Sequence, residues 1–210
     1  MFIGHFAVAY TLMHVFPGVP PLVFLLGVSF PDLLWPFLVF AGIEKVKINA
    51  DSPLQKDIIF SSYPYSHSLL VSSLISCIAG FVIALFTTPL AGILFVVCSA
   101  SHWFLDTIVH QRDLPVLGVS HDIREGFGLW KYPKSAFVIE YVFYVGVTLL
   151  VMPFSLALPL IIIGSLFHLM NANTFFGFTK SNPFKTARMY AVVTLLGFSL
   201  FIFAVMGWMK

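Results

Sequence analysis

Charge is the scarcest commodity in this chain. Of its 210 residues, 11 are Lys or Arg and 9 are Asp or Glu, 10% in all, while 59% are hydrophobic. A soluble domain of this size carries roughly a quarter charged residues, so a water-covered globule is excluded. Cysteine is nearly absent as well: Cys77 and Cys98 are the only two, both inside apolar runs and without a CxxC pair. That composition argues against a disulfide framework or a thiolate metal site and for two buried, inert thiols. No basic region opens the chain and no small-residue cleavage site precedes "FPGVPP", so the start reads as mature protein and not as a signal peptide. The net charge of +2 is small and scattered, and no nucleic-acid partner is expected. Internal repeats and low-complexity stretches are missing too.

Long apolar runs are what the chain has instead. A hydrocarbon core of about 30 Å takes roughly 20 helical residues to cross. Read from breaker to breaker, seven apolar segments emerge: 2–16, 22–43, 67–87, 90–110, 135–152, 156–176 and 189–208. The expected fold is an all-α, polytopic membrane helix bundle of six to seven hydrophobic segments, one integral membrane domain over residues 1–210, with membrane lipid as its environment. The first segment is short enough to be a half-helix. In "FPDLLWP", Pro31 and Pro36 each remove a backbone donor, which predicts a kink or break in the second segment.

The basic residues sort by loop. Lys45, Lys47 and Lys56 lie in 44–66; Arg112, Arg124, Lys131 and Lys134 in 111–134; Lys180, Lys185 and Arg188 in 177–188. The short turns at 17–21, 88–89 and 153–154 carry none. Positive loops stay cytoplasmic, so these three loops and the N-terminus are expected on the cytoplasmic side of an inner membrane, with Lys210 opposite.

The few ionisable groups inside the runs crowd toward that same side. They are His5, Asp32, His67, the trio His102, Asp106 and His110, and Glu140. A carboxylate within a span costs several kcal/mol and marks a functional site by default. No Lys or Arg in the spans stands ready to pair with Asp32 or Asp106, which leaves a bound cation or a protonated carboxyl. Imidazole nitrogen and carboxylate oxygen together suit zinc or a similar divalent metal ion. The HxxxDxxxH spacing places His102, Asp106 and His110 on one helical face, and Asp113 lies just beyond. Other histidines read as structural: His14 lies opposite His5, His121 sits in a polar loop, and His168 lies near Asn171.

"GHFAVAY", "FPDLLWP", "YPYSHSLL", "SHWFLDTIVHQRDLPV" and "GLWKYPKSAFVIE" occur in this order. The series resembles a family of bacterial multi-pass inner-membrane proteins described as metal-dependent hydrolases. That family is distantly similar to the zinc-dependent phospholipase C and single-strand nuclease superfamily. The resemblance covers residues 1–140. It implies His5, Asp32, His67, His102 and Asp106 as metal ligands, with His110 and Glu140 as supporting or additional ones. Many members carry an Arg shortly before the central His-Ser, where this chain has Tyr63, Pro64 and Tyr65; if that Arg holds a phosphate, Arg112 or Lys131 would inherit the task.

The leading expectation is a membrane-embedded, metal-dependent hydrolase acting on an ester or phosphoester of a lipid at the cytoplasmic face. Asp106 or Glu140 would take the proton from a metal-bound water. The alternatives are an ion- or proton-coupled transporter and a non-catalytic, metal-stabilised scaffold. A transporter usually shows repeats and paired broken helices around a midplane site, and this sequence shows neither.

Overall fold

Seven apolar helices form in the computed structural model, which describes residues 1–209. They are α1 (Ile3–Val15), α2 (Pro21–Phe40), α3 (Leu69–Phe86), α4 (Pro89–Val109), α5 (Pro133–Val151), α6 (Phe154–Met170) and α8 (Ala187–Trp208), with a single-turn α7 (Asn173–Phe176) after α6. Five of them, α2, α3, α4, α5 and α8, are long and apolar enough to cross a membrane. At 13 and 17 residues, α1 and α6 would span only about 20 and 26 Å. The chain is thus compatible with a multi-pass membrane protein.

Local sequence explains the boundaries. Thr88 accepts from the N–H of Ala91 at the start of α4, with Pro89 in the first turn, where a missing donor costs nothing. Ser68 and Thr186 cap α3 and α8 in the same way. The sixth segment was expected to run to residue 176, but α6 stops at Met170 and a turn through Asn171 and Ala172 separates it from α7. The interhelical loops are also not wholly irregular. β1 (Lys45–Lys47) pairs antiparallel with β2 (Ile59–Ser62), and β3 (Leu114–Pro115) with β4 (Arg124–Glu125).

The expected break in α2 does not occur. The helix is continuous through Pro31 and Pro36. A proline silences the hydrogen bond to the carbonyl four residues back, here Gly27 and Asp32. Unwinding the turn in apolar surroundings would orphan still more backbone groups, each at a cost of several kcal/mol, so the helix carries on.

α4 is the central helix, packed against α3, α2 and α1; α1 also lies along α5 and α2, and α8 lies along α2 and α6. The α3–α4 seam is glycine against glycine: a Cβ on Gly80 would meet the Gly92 carbonyl at 2.7 Å and Val96 at 2.7 Å. Across α2 and α4, a Cβ on Gly27 would fall 2.6 Å from that of Cys98. Cys98 is buried as expected, but Cys77 is exposed on the outer face of α3, because that helix touches the bundle along one stripe only. The three long loops meet at one end. Gln111 donates to the Lys56 carbonyl at 2.8 Å, Leu70 N–H to Val116 at 2.9 Å, and Asn182 N–H to Ala50 at 2.9 Å.

Candidate metal centre

Five side chains from three helices and one loop converge beneath those loops. α4 supplies His102 and Asp106, one turn apart on its inner face. α1 supplies His5, α2 supplies Asp32, and the segment before α3 supplies His67. Two overlapping groups have donor atoms close enough to share an ion: His5 with His102 and Asp106, and Asp32 with His67 and His102.

Asp106 is the hub. Its Oδ1 lies 3.2 Å from His5 Nε2, and its Oδ2 lies 3.3 Å from His102 Nε2, 3.5 Å from His110 Nε2 and 4.0 Å from His67 Nε2. Asp32 faces His67 Nε2 at 3.3 Å and His102 Nε2 at 3.5 Å. The imidazoles of His5 and His102 stack at 3.7 Å between centroids. A positive group already stands on this carboxylate: the α-ammonium of Met1 donates to Asp106 Oδ1 at 2.5 Å.

The protonation of two rings follows from their partners. His102 Nδ1 lies 2.7 Å from the Val28 carbonyl, which can only accept, so Nδ1 carries a proton; in the neutral ring this leaves Nε2, which faces the two carboxylates, as the nitrogen free to ligate. For His67 the deduction takes one more step. Ser66 Oγ donates its single hydrogen to Glu44 Oε2 at 2.6 Å. Its 2.7 Å contact with His67 Nδ1 must therefore be donation from the ring, which leaves His67 Nε2 as the bare nitrogen. Glu44 is itself buried and held by the N–H groups of Tyr65 and Ser66 at 2.8 and 2.9 Å. Such partners fix the ring orientation and tautomer that ligation requires.

His5 Nδ1 and Nε2 and His102 Nε2 are fully buried and have no hydrogen-bond partner. Buried polar atoms left unsatisfied cost about 1–3 kcal/mol each. Unpartnered imidazole nitrogens beside two carboxylates, with no Lys or Arg among them, fit a divalent cation. The donor set is nitrogen and oxygen only.

His110 caps α4 and joins from the side. Its Nδ1 lies 3.2 Å from Asp113 Oδ1 and 3.4 Å from the Tyr63 hydroxyl. Burial opposes its charged form, yet the contacts with Asp106 and Asp113 raise its pKa to about 9. Burial likewise pushes the Tyr63 hydroxyl well above its usual value, with Asp113 adding to the shift.

Glu140 was expected beside the ligands as a supporting group or base. It lines the same cavity, and its Oε1 accepts from the N–H groups of Phe2 at 2.5 Å and Gly4 at 3.1 Å. It therefore anchors the start of α1 to α5. It is not among the residues whose donor atoms cluster. Arg112 and Lys131 are exposed and do not line the cavity, so neither takes up the place of a missing phosphate-holding Arg. His14 and His121 are exposed, and His168 stacks on Phe137 with Nε2 3.0 Å from that residue's carbonyl, away from the cluster.

Sequence reasoning missed Glu44 and the role of Ser66. Glu44 sits in "IEKVKIN", where an acid among lysines reads as a solvated loop charge. No family model, curated protein or solved structure matches this chain.

Proposed function

We propose that this chain is a membrane-embedded, zinc-dependent hydrolase that cleaves an ester or phosphoester bond of a lipid at the cytoplasmic face of an inner membrane. The observation that carries the reading is the buried set of unpartnered imidazole nitrogens around Asp106 and Asp32. His5, His67, His102, Asp32 and Asp106 would hold the metal, with His110 beside them. A metal held there would lower the pKa of a bound water toward neutrality and act as a Lewis acid for the oxygen under attack. Asp106 or Glu140, the latter fixed by two N–H groups on the cavity wall, would take the proton of the attacking water. His110, held by Asp113, would return a proton to the leaving group.

Several features support the orientation and the class. The basic loops assemble over the cluster end, as positive-inside bias requires for a cytoplasmic site. The motif order resembles the metal-dependent hydrolase family over residues 1–140. A transporter would favour a midplane site between paired broken helices, whereas α2 is continuous here and both donor groups lie at one end of α4.

The test is metal per protein after exhaustive dialysis, with lipid turnover measured on the same preparations. His102→Ala and Asp106→Ala are expected to lose bound metal and turnover, by 100-fold or more in affinity (~3 kcal/mol or more). His14→Ala is expected to keep both. Full metal content in both alanine variants, with monodisperse elution, would show the cluster to be a structural polar seam and would end the hydrolase reading.

A further inference from the structure

The cluster opens into a cavity of about 480 Å³ whose far walls are not polar. The cluster residues Asp32, His67, Asp106 and His110 line it. α6 adds Phe167 and Met170, and α8 adds Val193, Leu196, Gly197 and Leu200. Its neutral polar lining includes Asn171, Asn173 and Thr174. Among the lining residues there is no Lys or Arg.

The wall from α6 and α8 faces two ways. Met170, Leu196 and Leu200 line the cavity, yet 78%, 52% and 53% of their surfaces are exposed. On helices of this hydropathy the exposed side is the lipid side, so at these residues the cavity wall reaches the lipid, while the Phe167 and Phe201 rings, 5.2 Å apart, hold α6 to α8. Gly197 lies on this wall. Every other helix seam with a facing glycine is closed on it: Gly27 by Cys98, Gly80 by Gly92, and Gly164 by Tyr144. A Cβ on Gly197 would meet only Phe2 Cζ, at 3.8 Å. Glycine inside a helix is less favourable than alanine by about 1 kcal/mol, and no close packing accounts for it at this position. Phe2 forms the floor, its ring 4.9 Å from Phe198 and 6.1 Å from Phe167.

We propose that this part of the cavity is a lateral groove that admits one hydrocarbon chain of a lipid from the cytoplasmic leaflet. The chain lies along α8 from Val193 to Leu200, a run of about 10 Å, over the hydrogen-lined face of Gly197. The polar linkage then falls among the asparagine and threonine groups and reaches the His/Asp cluster. The proposal rests on the hydrolase reading and names the form of its substrate: an amphiphile whose scissile bond is offered at headgroup depth while one tail stays inside the protein. A water-soluble ester would not need apolar walls open to the bilayer, and an inorganic ion would not need them at all.

The test separates chain binding from turnover. The full chain is reconstituted in vesicles of phosphatidylcholine bearing a photoreactive diazirine in one acyl chain, irradiated, and the adducts are mapped by mass spectrometry. Adducts are expected on Phe167, Leu196 and Leu200 in excess over Phe81, which is 65% exposed on α3 and reports ordinary lipid contact. Gly197→Trp fills the groove and is expected to cut the groove adducts at least tenfold, leaving Phe81 adducts and bound metal unchanged. Gly197→Leu, a smaller plug, is expected to cut them severalfold and covers the case in which the tryptophan variant does not fold. Groove adducts no more frequent than those at Phe81, or unaffected by either plug, overturn the proposal. Wild-type protein that takes the chain but releases no product sustains the groove and rejects the hydrolase reading alone.

Discussion

α4 and α8 are similar in length, at 21 and 22 residues, and differ in how they are held. In α4, half of the most apolar window is buried, against 28% for α8. α4 is gripped on two sides by glycine contacts, with Gly92 against Gly80 in α3 and Cys98 against Gly27 in α2. Ser99 Oγ adds a 2.7 Å hydrogen bond to Ser76 Oγ across the α3–α4 seam. α8 has one glycine facing inward, and that one faces space. Ligand donors must hold position to within about 0.5 Å to share an ion, so the helix that carries two of them is clamped. The proposed lipid groove along α8 would gain nothing from such a clamp.

The largest effect should come from breaking the clamp. Gly92→Leu drives a side chain into the Gly80 carbonyl and Ala84; overpacking of this kind costs about 1–3 kcal/mol or more. We expect aggregation or a drop of well over 10 °C in the melting temperature in detergent. Gly197→Leu should shift it by only a few degrees. Equal losses at the two positions would dissolve the distinction between the helices.

A middle-sized effect concerns the one ligand that no helix clamps. His67 lies before α3 and depends on Ser66 and Glu44 for its bearing. Ser66→Ala and Glu44→Gln are expected to weaken metal binding by about 10–100-fold with the fold intact, measured by competition with a chelator. Unchanged affinity in both would show that His67 is set by packing, like the α4 ligands.

The smallest effect belongs to Ser99→Ala. Interhelical hydrogen bonds in membranes average about 0.6 kcal/mol. A loss of that order in reversible unfolding, with metal content unchanged, would show that glycine contact and not hydrogen bonding holds α4.

Much of this was readable from residues alone, for local reasons. Helix periodicity put His102, Asp106 and His110 on one face, and the apolar runs located the seven helices within a few residues. The convergence of His5, Asp32 and His67 on that face was legible as a shared depth and not as a contact. The behaviour of Pro31 and Pro36 was misjudged because propensity weighs the lost bond, whereas the apolar surroundings weigh everything a break would expose. The two hairpins carry no strong turn signal, and Glu44 has the composition of a loop charge. The groove could not be read at all, since it depends on how α6 and α8 pack against each other around the cavity. Nothing in the spacing of Gly197 distinguishes it from Gly92.

The placement of the ligands also sets an order in time. Every residue of the donor cluster precedes residue 111, while the α8 wall begins at Ala187. During synthesis, therefore, the nest of imidazoles and carboxylates is complete in the chain before α8 is made, and α8 closes a wall onto a cluster already in place.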